Sequence, residues 1–181
     1  MHAGVSMKRC LSPVALLLAK SCLRILCVSI CIIMSSGLFG CGTSRQYPSF
    51  PLHTPVTSQK IVESAYSQLG TRYRAGGTSP GKGFDCSGLV QWAYSQQGLS
   101  VPRITADQAR TGRLVSPKEE LLPADILVFR IGRGVHALHT GLYTGSGQFI
   151  HSPSGGQRVR TESLDLAYWK NSLIGARRVI N

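Results

Sequence analysis

Phe84-Asp85-Cys86-Ser87-Gly88-Leu89-Val90 opens an amphipathic helix, and the fold is read outward from it. Asp85 is placed to N-cap this helix, since a carboxylate there accepts from the unpaired N–H groups of the first turn. Leu89, Val90, Ala93 and Tyr94 recur at helical spacing and face inward, and Gly98 ends the element. Upstream, Ser58 is placed to cap a helix with the stripe Ile61, Val62, Ala65, Tyr66 and Leu69, closed by Gly70. Residues 71–83 between the two are glycine-rich, carry Pro80, and read as a loop. Downstream, Thr105-Ala106-Asp107-Gln108 has the form of a capping box for a short third helix ending near Gly112. The period then changes. Residues 126–131 form a β-rich run, and 139–143 and 148–151 flank the turn-rich Thr144-Gly145-Ser146-Gly147 as a hairpin. Residues 159–161 and 173–179 read as further strands, with a short helix around 164–169. Helices first and strands afterwards predict an α+β fold with an antiparallel sheet.

The chain has 181 residues, a net charge of +12, 43% hydrophobic residues and 15% charged ones. That balance excludes a disordered chain, and the absence of heptads or longer repeats excludes coiled coils and solenoids. Five of the six cysteines, Cys10, Cys22, Cys27, Cys31 and Cys41, lie in the first 41 residues, which hold four basic residues and no acidic one. Lys8, Arg9, Lys20 and Arg24 precede a 15-residue apolar run over 25–39. The run is short of the roughly 20 residues that a spanning helix needs, and the pattern is that of an export signal over 1–40, starting at Met1 or Met7. Leu38-Phe39-Gly40-Cys41 resembles a bacterial lipobox, which makes Cys41 the expected lipidation site; an uncleaved anchor or ordinary cleavage nearby are the alternatives. Residues 41–57, with Pro48, Pro51, Pro55 and His53, read as a flexible linker, and 58–181 as the globular domain.

Three glycine motifs lack their structural context. Gly77-x-Ser79-x-Gly81 resembles a nucleophile elbow but lies in a loop. Gly76-x4-Gly81-Lys82 lacks the Ser or Thr of a P-loop. Gly132-x-Gly134-x-x-Ala137 is followed by strand-like rather than helical residues. Cys86, His136, His139 and His151 are possible zinc ligands, but without paired ligand spacing. The positive charge by itself suggests nucleic acid; an export signal and 7% aromatics argue against it and favour anionic envelope material. Once Cys41 is lipidated, the exported domain keeps one thiol, Cys86, which is either reactive or buried and inert. Its place at a helix N-terminus favours the thiolate. A turn centred on Gly145 sets His139 and His151 directly opposite each other, so that one imidazole can act on Cys86 while the other orients it. These residues alone leave both readings of the thiol open.

Gly70-Thr71-Arg72-Tyr73 through Gly77, Phe84-Asp85-Cys86-Ser87-Gly88 through Tyr94, Pro102-Arg103, Pro123-Ala124-Asp125, His139-Thr140-Gly141-Leu142-Tyr143 and Phe149-Ile150-His151 resemble, in order, the NlpC-type family of cell-wall cysteine peptidases. The resemblance implies a papain-like core in which a nucleophile helix packs on an antiparallel sheet that bears the histidines. It implies Cys86 as nucleophile, His139 as general base, His151 as the orienting third residue, and Tyr73 near the oxyanion site. Asp85 and Ser87 match motif positions that line the substrate cleft, though helix capping accounts for them equally. The substrate implied is the peptidoglycan stem peptide, cut beside diaminopimelate through a thioester, with no cofactor and no metal. The chain departs from the family pattern at Thr140, where a β-branched apolar residue is usual, and in the basic loop 130–133. The expectation is a monomeric murein endopeptidase facing the periplasm, held to the outer membrane by the lipid on Cys41 and binding no nucleic acid. A non-catalytic wall-binding lipoprotein and a thioester acyltransferase on the same fold are the rivals. The bond cleaved stays open.

Overall fold

The computed structural model describes residues 56–116, 119–132, 134 and 137–180. The export signal, the lipobox with Cys41, nearly all of the linker, and His136 lie outside the described residues. Helix α1 spans Val56–Tyr66 and buries Ile61, Val62, Ala65 and Tyr66 of the expected stripe, but it ends before Leu69, which is exposed. It starts two residues before Ser58, so Ser58 is a buried residue of its first turn rather than its cap, and Val56 and Thr57, read as the end of the linker, are helical. A two-stranded ribbon, β1 (Thr78–Ser79) and β2 (Gly83–Phe84), occupies the stretch read as loop. Helix α2 follows at Cys86–Ser95, with Asp85 as its N-cap. It presses so closely on the ribbon that a Cβ on Gly88 would collide with the carbonyl of Gly77. Only glycine fits there.

Helix α3 is one turn, Thr105–Gln108, and the capping box does not form. Ile104 is the N-cap and makes no side-chain cap bond, while the Thr105 and Gln108 side chains are drawn into tertiary contacts. Strands β3 (Arg113–Leu114), β4 (Ile126–Arg130), β5 (Leu138–Gly145), β6 (Gln148–His151), β7 (Arg160–Ser163) and β8 (Leu173–Arg178) form one antiparallel sheet in the order β3-β8-β4-β5-β6-β7. Helix α4, Ala167–Ser172, lies three residues later than the sequence suggests. The sheet is covered on both faces, so residues 126–129 are a continuous buried run rather than an alternating one. One face carries Ile126, Leu142 and Ile150 against Leu89, Val90, Ala93 and Tyr94 of α2 and the stripe of α1. The other carries Leu127, Phe129 and Phe149 against Trp169 of α4. Each such fully buried side chain stabilises the fold by about 1.5–3 kcal/mol. Arg178, 8% exposed, closes the sheet by donating to both oxygens of Asp125, at 2.8 and 2.6 Å, which pins β8 to the start of β4.

The β5–β6 hairpin differs in register from the expected one. Leu142 pairs with Ile150 and Tyr143 with Phe149, but Gly145 pairs with Gln148, so Thr144 is an extra residue on β5. The turn itself is Ser146-Gly147, with φ of 51° and 72°, the double positive φ of a type I′ hairpin. Its centre is therefore not Gly145. Continued along the strands, this register sets Gly141 opposite His151 and leaves His139 as the diagonal neighbour on the same face.

Candidate active site

Cys86 is the first residue of α2 and is half-buried. The Asp85 carboxylate accepts from the N–H of Gly88 at 2.7 Å and of Gly76 at 2.9 Å, and binds Arg103 through Nη2 at 2.7 Å and Nη1 at 3.0 Å. Ser87 Oγ donates to Asp85 at 3.3 Å and accepts from Arg103 at 3.0 Å. Asp85 is thus both the cap and a wall of the cleft. The helix start leaves the N–H groups of Cys86 and Ser87 without intrahelical acceptors. Tyr73, Asp85, Cys86, Ser87, Arg103 and Thr105 border an open cleft of about 730 Å³. The Tyr73 hydroxyl is pushed above its ordinary pKa by burial first, then by electrostatic interaction with Cys86 and Asp85. It stays a donor.

His139 and His151 meet with Nε2 of the first 2.7 Å from Nδ1 of the second. Both are buried, at 4% and 0% exposure. Gly141 makes their diagonal approach possible, because a Cβ there would lie 3.2 Å from that of His151 and 2.9 Å from the Phe149 ring. Trp169 stacks on His139, with centroids 5.9 Å apart, and meets His151 edge-on at 5.0 Å. Phe129 and Phe149 complete the aromatic box. Burial pulls the His139 pKa down to about 4. His151 is also lowered, by burial first and then by the charges of His139 and Arg160. Both rings are neutral at pH 7. His151 Nε2 is buried without a hydrogen-bond partner among the described residues.

The thiol and the imidazole pair are not hydrogen-bonded to each other among the described residues. Cys86 Sγ lies 3.6 Å from Thr105 Oγ1, and the histidines project to the sheet face that carries Phe129 and Trp169, away from the apolar stripe of α2. Gln108, fully buried, ties the two halves together. Its Nε2 donates to the Ser87 carbonyl at 2.9 Å and the Pro102 carbonyl at 2.8 Å, and its Oε1 accepts from Thr140 Oγ1 at 3.0 Å. The neighbours of Cys86 and of His139 are therefore joined through one amide, and the departure from the family pattern at Thr140 acquires a reason. Sequence reading assigned no role at the site to Arg103, Thr105, Gln108, Gly141 or Trp169. Gln108 and Thr105 had been absorbed into a capping box, and nothing local marks a tryptophan as the lid of a histidine pair. As for zinc, no group of three His, Cys, Asp or Glu side chains among the described residues is placed to share a metal ion.

Residues 70–178 match the model of the NlpC/P60 family. The chain belongs to the NlpC/P60 family. Among NlpC/P60 relatives, the murein DD-endopeptidase MepH of Escherichia coli strain K12 is 44% identical over 131 residues, covering 70% of this chain and 46% of that protein. The probable endopeptidase NlpC of the same strain is 36% identical over 154 residues, covering 82% of this chain and 98% of the relative. The crystal structure of an NlpC/P60 family protein from Bacillus cereus ATCC 10987 superposes with a TM-score of 0.63 at 30% identity, over 76% of this chain and 44% of that one. The chain spans less than half the length of several curated relatives it matches. The order of helices first and an antiparallel sheet afterwards is that of the NlpC/P60 papain-like domains.

Proposed function

We propose that this chain is a cysteine peptidase of the cell wall that hydrolyses a stem-peptide or cross-link amide of peptidoglycan beside diaminopimelate. The observation that carries the reading is a thiol at a helix N-terminus on an open cleft, joined through Gln108 to a buried, neutral imidazole pair. The relatives named as endopeptidases support it.

The chemistry runs as an acyl transfer. His139 Nε2 is engaged by His151, so Nδ1 is the nitrogen left for the thiol. To accept a proton, Nδ1 must carry the lone pair, which places the His139 proton on Nε2, donated to His151 Nδ1. In the reactive complex the thiol turns from Thr105 to His139 Nδ1, a contact that substrate binding tightens. The Cys86 proton passes to His139 as sulfur attacks the carbonyl carbon. The oxyanion is met by the Cys86 N–H and the Tyr73 hydroxyl. The C–N bond breaks as His139 returns the proton to the departing amine, leaving a thioester. Water, deprotonated by His139, then splits the thioester and restores the thiol. His151 holds the tautomer and the ring plane.

Mass spectrometry of defined muropeptides incubated with residues 42–181 tests this. Expected is a single cleaved amide, lost on Cys86→Ala. Binding without cleavage identifies a wall-binding protein, and transfer to an acceptor amine or lipid instead of water identifies an acyltransferase. We further propose that the domain faces the periplasm from the outer membrane through a lipid on Cys41, supported by the apolar run, the lipobox and the polar linker. A diacylglyceryl-modified Cys41 at the native N-terminus is the expected result. An intact leader or an unmodified N-terminus elsewhere overturns it.

A further inference from the structure

Beside His139, and separate from the cleft of Cys86, lies a second hollow of about 220 Å³. His139, Ser154, Gln157, Arg160, Tyr168 and Trp169 border it. His139 does not border the larger cleft, and Cys86 does not border this one. On the peptidase reading, on which this inference rests, the acyl half of the substrate stays on Cys86 and the amine half departs with a proton from His139. The amine must therefore come to the imidazole.

We propose that this hollow receives the amine-side residue of the scissile bond, and that Arg160 reads a free carboxylate on that residue. Arg160 is paired with His151 across β6 and β7, which fixes its distance from the catalytic pair. Its Nε donates to Glu162 at 2.7 Å and its Nη1 to Gln157 Oε1. Nη2 has no protein acceptor among the described residues, and the side chain is 47% exposed. A guanidinium with an open edge suits a carboxylate better than any neutral group, through its planar fork of donors. The opposite wall is apolar, formed by Trp169 and the exposed ring of Tyr168, and suits the aliphatic part of the residue. Glu162 offsets part of the Arg160 charge, so the preference is set by the free donors and is on the order of tenfold rather than a thousandfold. The two hollows then divide the labour. The Cys86 cleft takes the acyl side, and the His139 hollow requires an amine whose residue ends in a carboxylate rather than a carboxamide.

Two measurements on the full chain test the proposal. The first compares cleavage of two muropeptides that differ only in a free carboxylate or a carboxamide on the amine-side diaminopimelate. Wild type should favour the carboxylate about tenfold in kcat/KM. Arg160→Gln should erase that preference through KM for the acid substrate alone, and Arg160→Lys should restore part of it. Equal slowing of both substrates by Arg160→Gln, or no preference in wild type, overturns the proposal while the peptidase reading stands. The second measurement does not need turnover. In the Cys86→Ala protein, meso-diaminopimelate should shift the Trp169 indole N–H resonance, its diamide should shift it far less, and Arg160→Gln should abolish the difference. If wild type cleaves neither muropeptide, the peptidase reading fails and this titration alone decides. A response independent of Arg160, or none, sinks the carboxylate site.

Discussion

Asp85 sits at the mouth of an open cleft and gathers backbone N–H groups, Ser87 and Arg103 around the start of α2, whereas His139 is buried among Phe129, Trp169 and His151, with His151 its one hydrogen-bond partner among the described residues. The cysteine half is held by charge and hydrogen bonds that water can reach. The histidine half is held by excluded solvent. The difference teaches how one site combines a thiol that must meet a large substrate with a base that must be neutral at rest. Burial keeps His139 unprotonated, and a polar rim keeps Cys86 accessible. Gln108 is the piece common to both.

The sharpest way to break the comparison is to remove one half. Cys86→Ala and His139→Ala should each lower single-turnover muropeptide cleavage by on the order of a thousandfold or more, with far-UV circular dichroism unchanged. Gly141→Ala attacks the meeting of the two rings instead, since the new methyl pushes on His151 and Phe149. It should cost on the order of a hundredfold in kcat with a smaller change in KM, and a full-rate Gly141→Ala enzyme would show that the His139–His151 contact is dispensable. Cutting the link between the halves with Gln108→Leu removes the side-chain donor to the Ser87 and Pro102 carbonyls and the acceptor of the Thr140 hydroxyl. A loss of about 3 kcal/mol in urea unfolding, and a kcat lower by tenfold or more, are expected.

His151→Gln removes only orientation and should leave a measurable fraction of activity, on the order of one-tenth. Acid should act on the histidine half. Unfolded histidine titrates near 6.5, and folded His139 near 4, so between these values the unfolded chain holds the extra proton. The contribution is present above pH 6.5 and is lost as pH falls toward 4, by about 2 kcal/mol for His139 between pH 6.5 and 5. Urea midpoints across that range measure it, and His151→Gln should flatten the curve.

The start of α2 was legible because its determinants are local. The cap, the thiol and the inward stripe all lie between Asp85 and Tyr94, and helical spacing orders them. The sheet class and the existence of the hairpin were legible for the same reason. Gln108 was not, because its partners lie 21 and 32 residues away, and a glutamine one turn short of a glycine is indistinguishable from a capping residue until those partners arrive. Trp169 likewise becomes a lid only when α4 folds back on the sheet.

From the sequence by itself came the thiol at a helix N-terminus and two histidines on one face of a hairpin, because periods of 3.6 and 2 are properties of the local backbone. Which face that was, and how far apart the rings stand along it, was decided only by the tertiary structure. One extra residue at Thr144 moves the register and turns an opposed pair into a diagonal one, and the choice of face follows from burying α1 and α2 on one side of the sheet and Trp169 on the other. Burial energy depends on segments remote in sequence, so the neutral state of His139, the Gln108 tie and the hollow at Arg160 exist only once those segments have met.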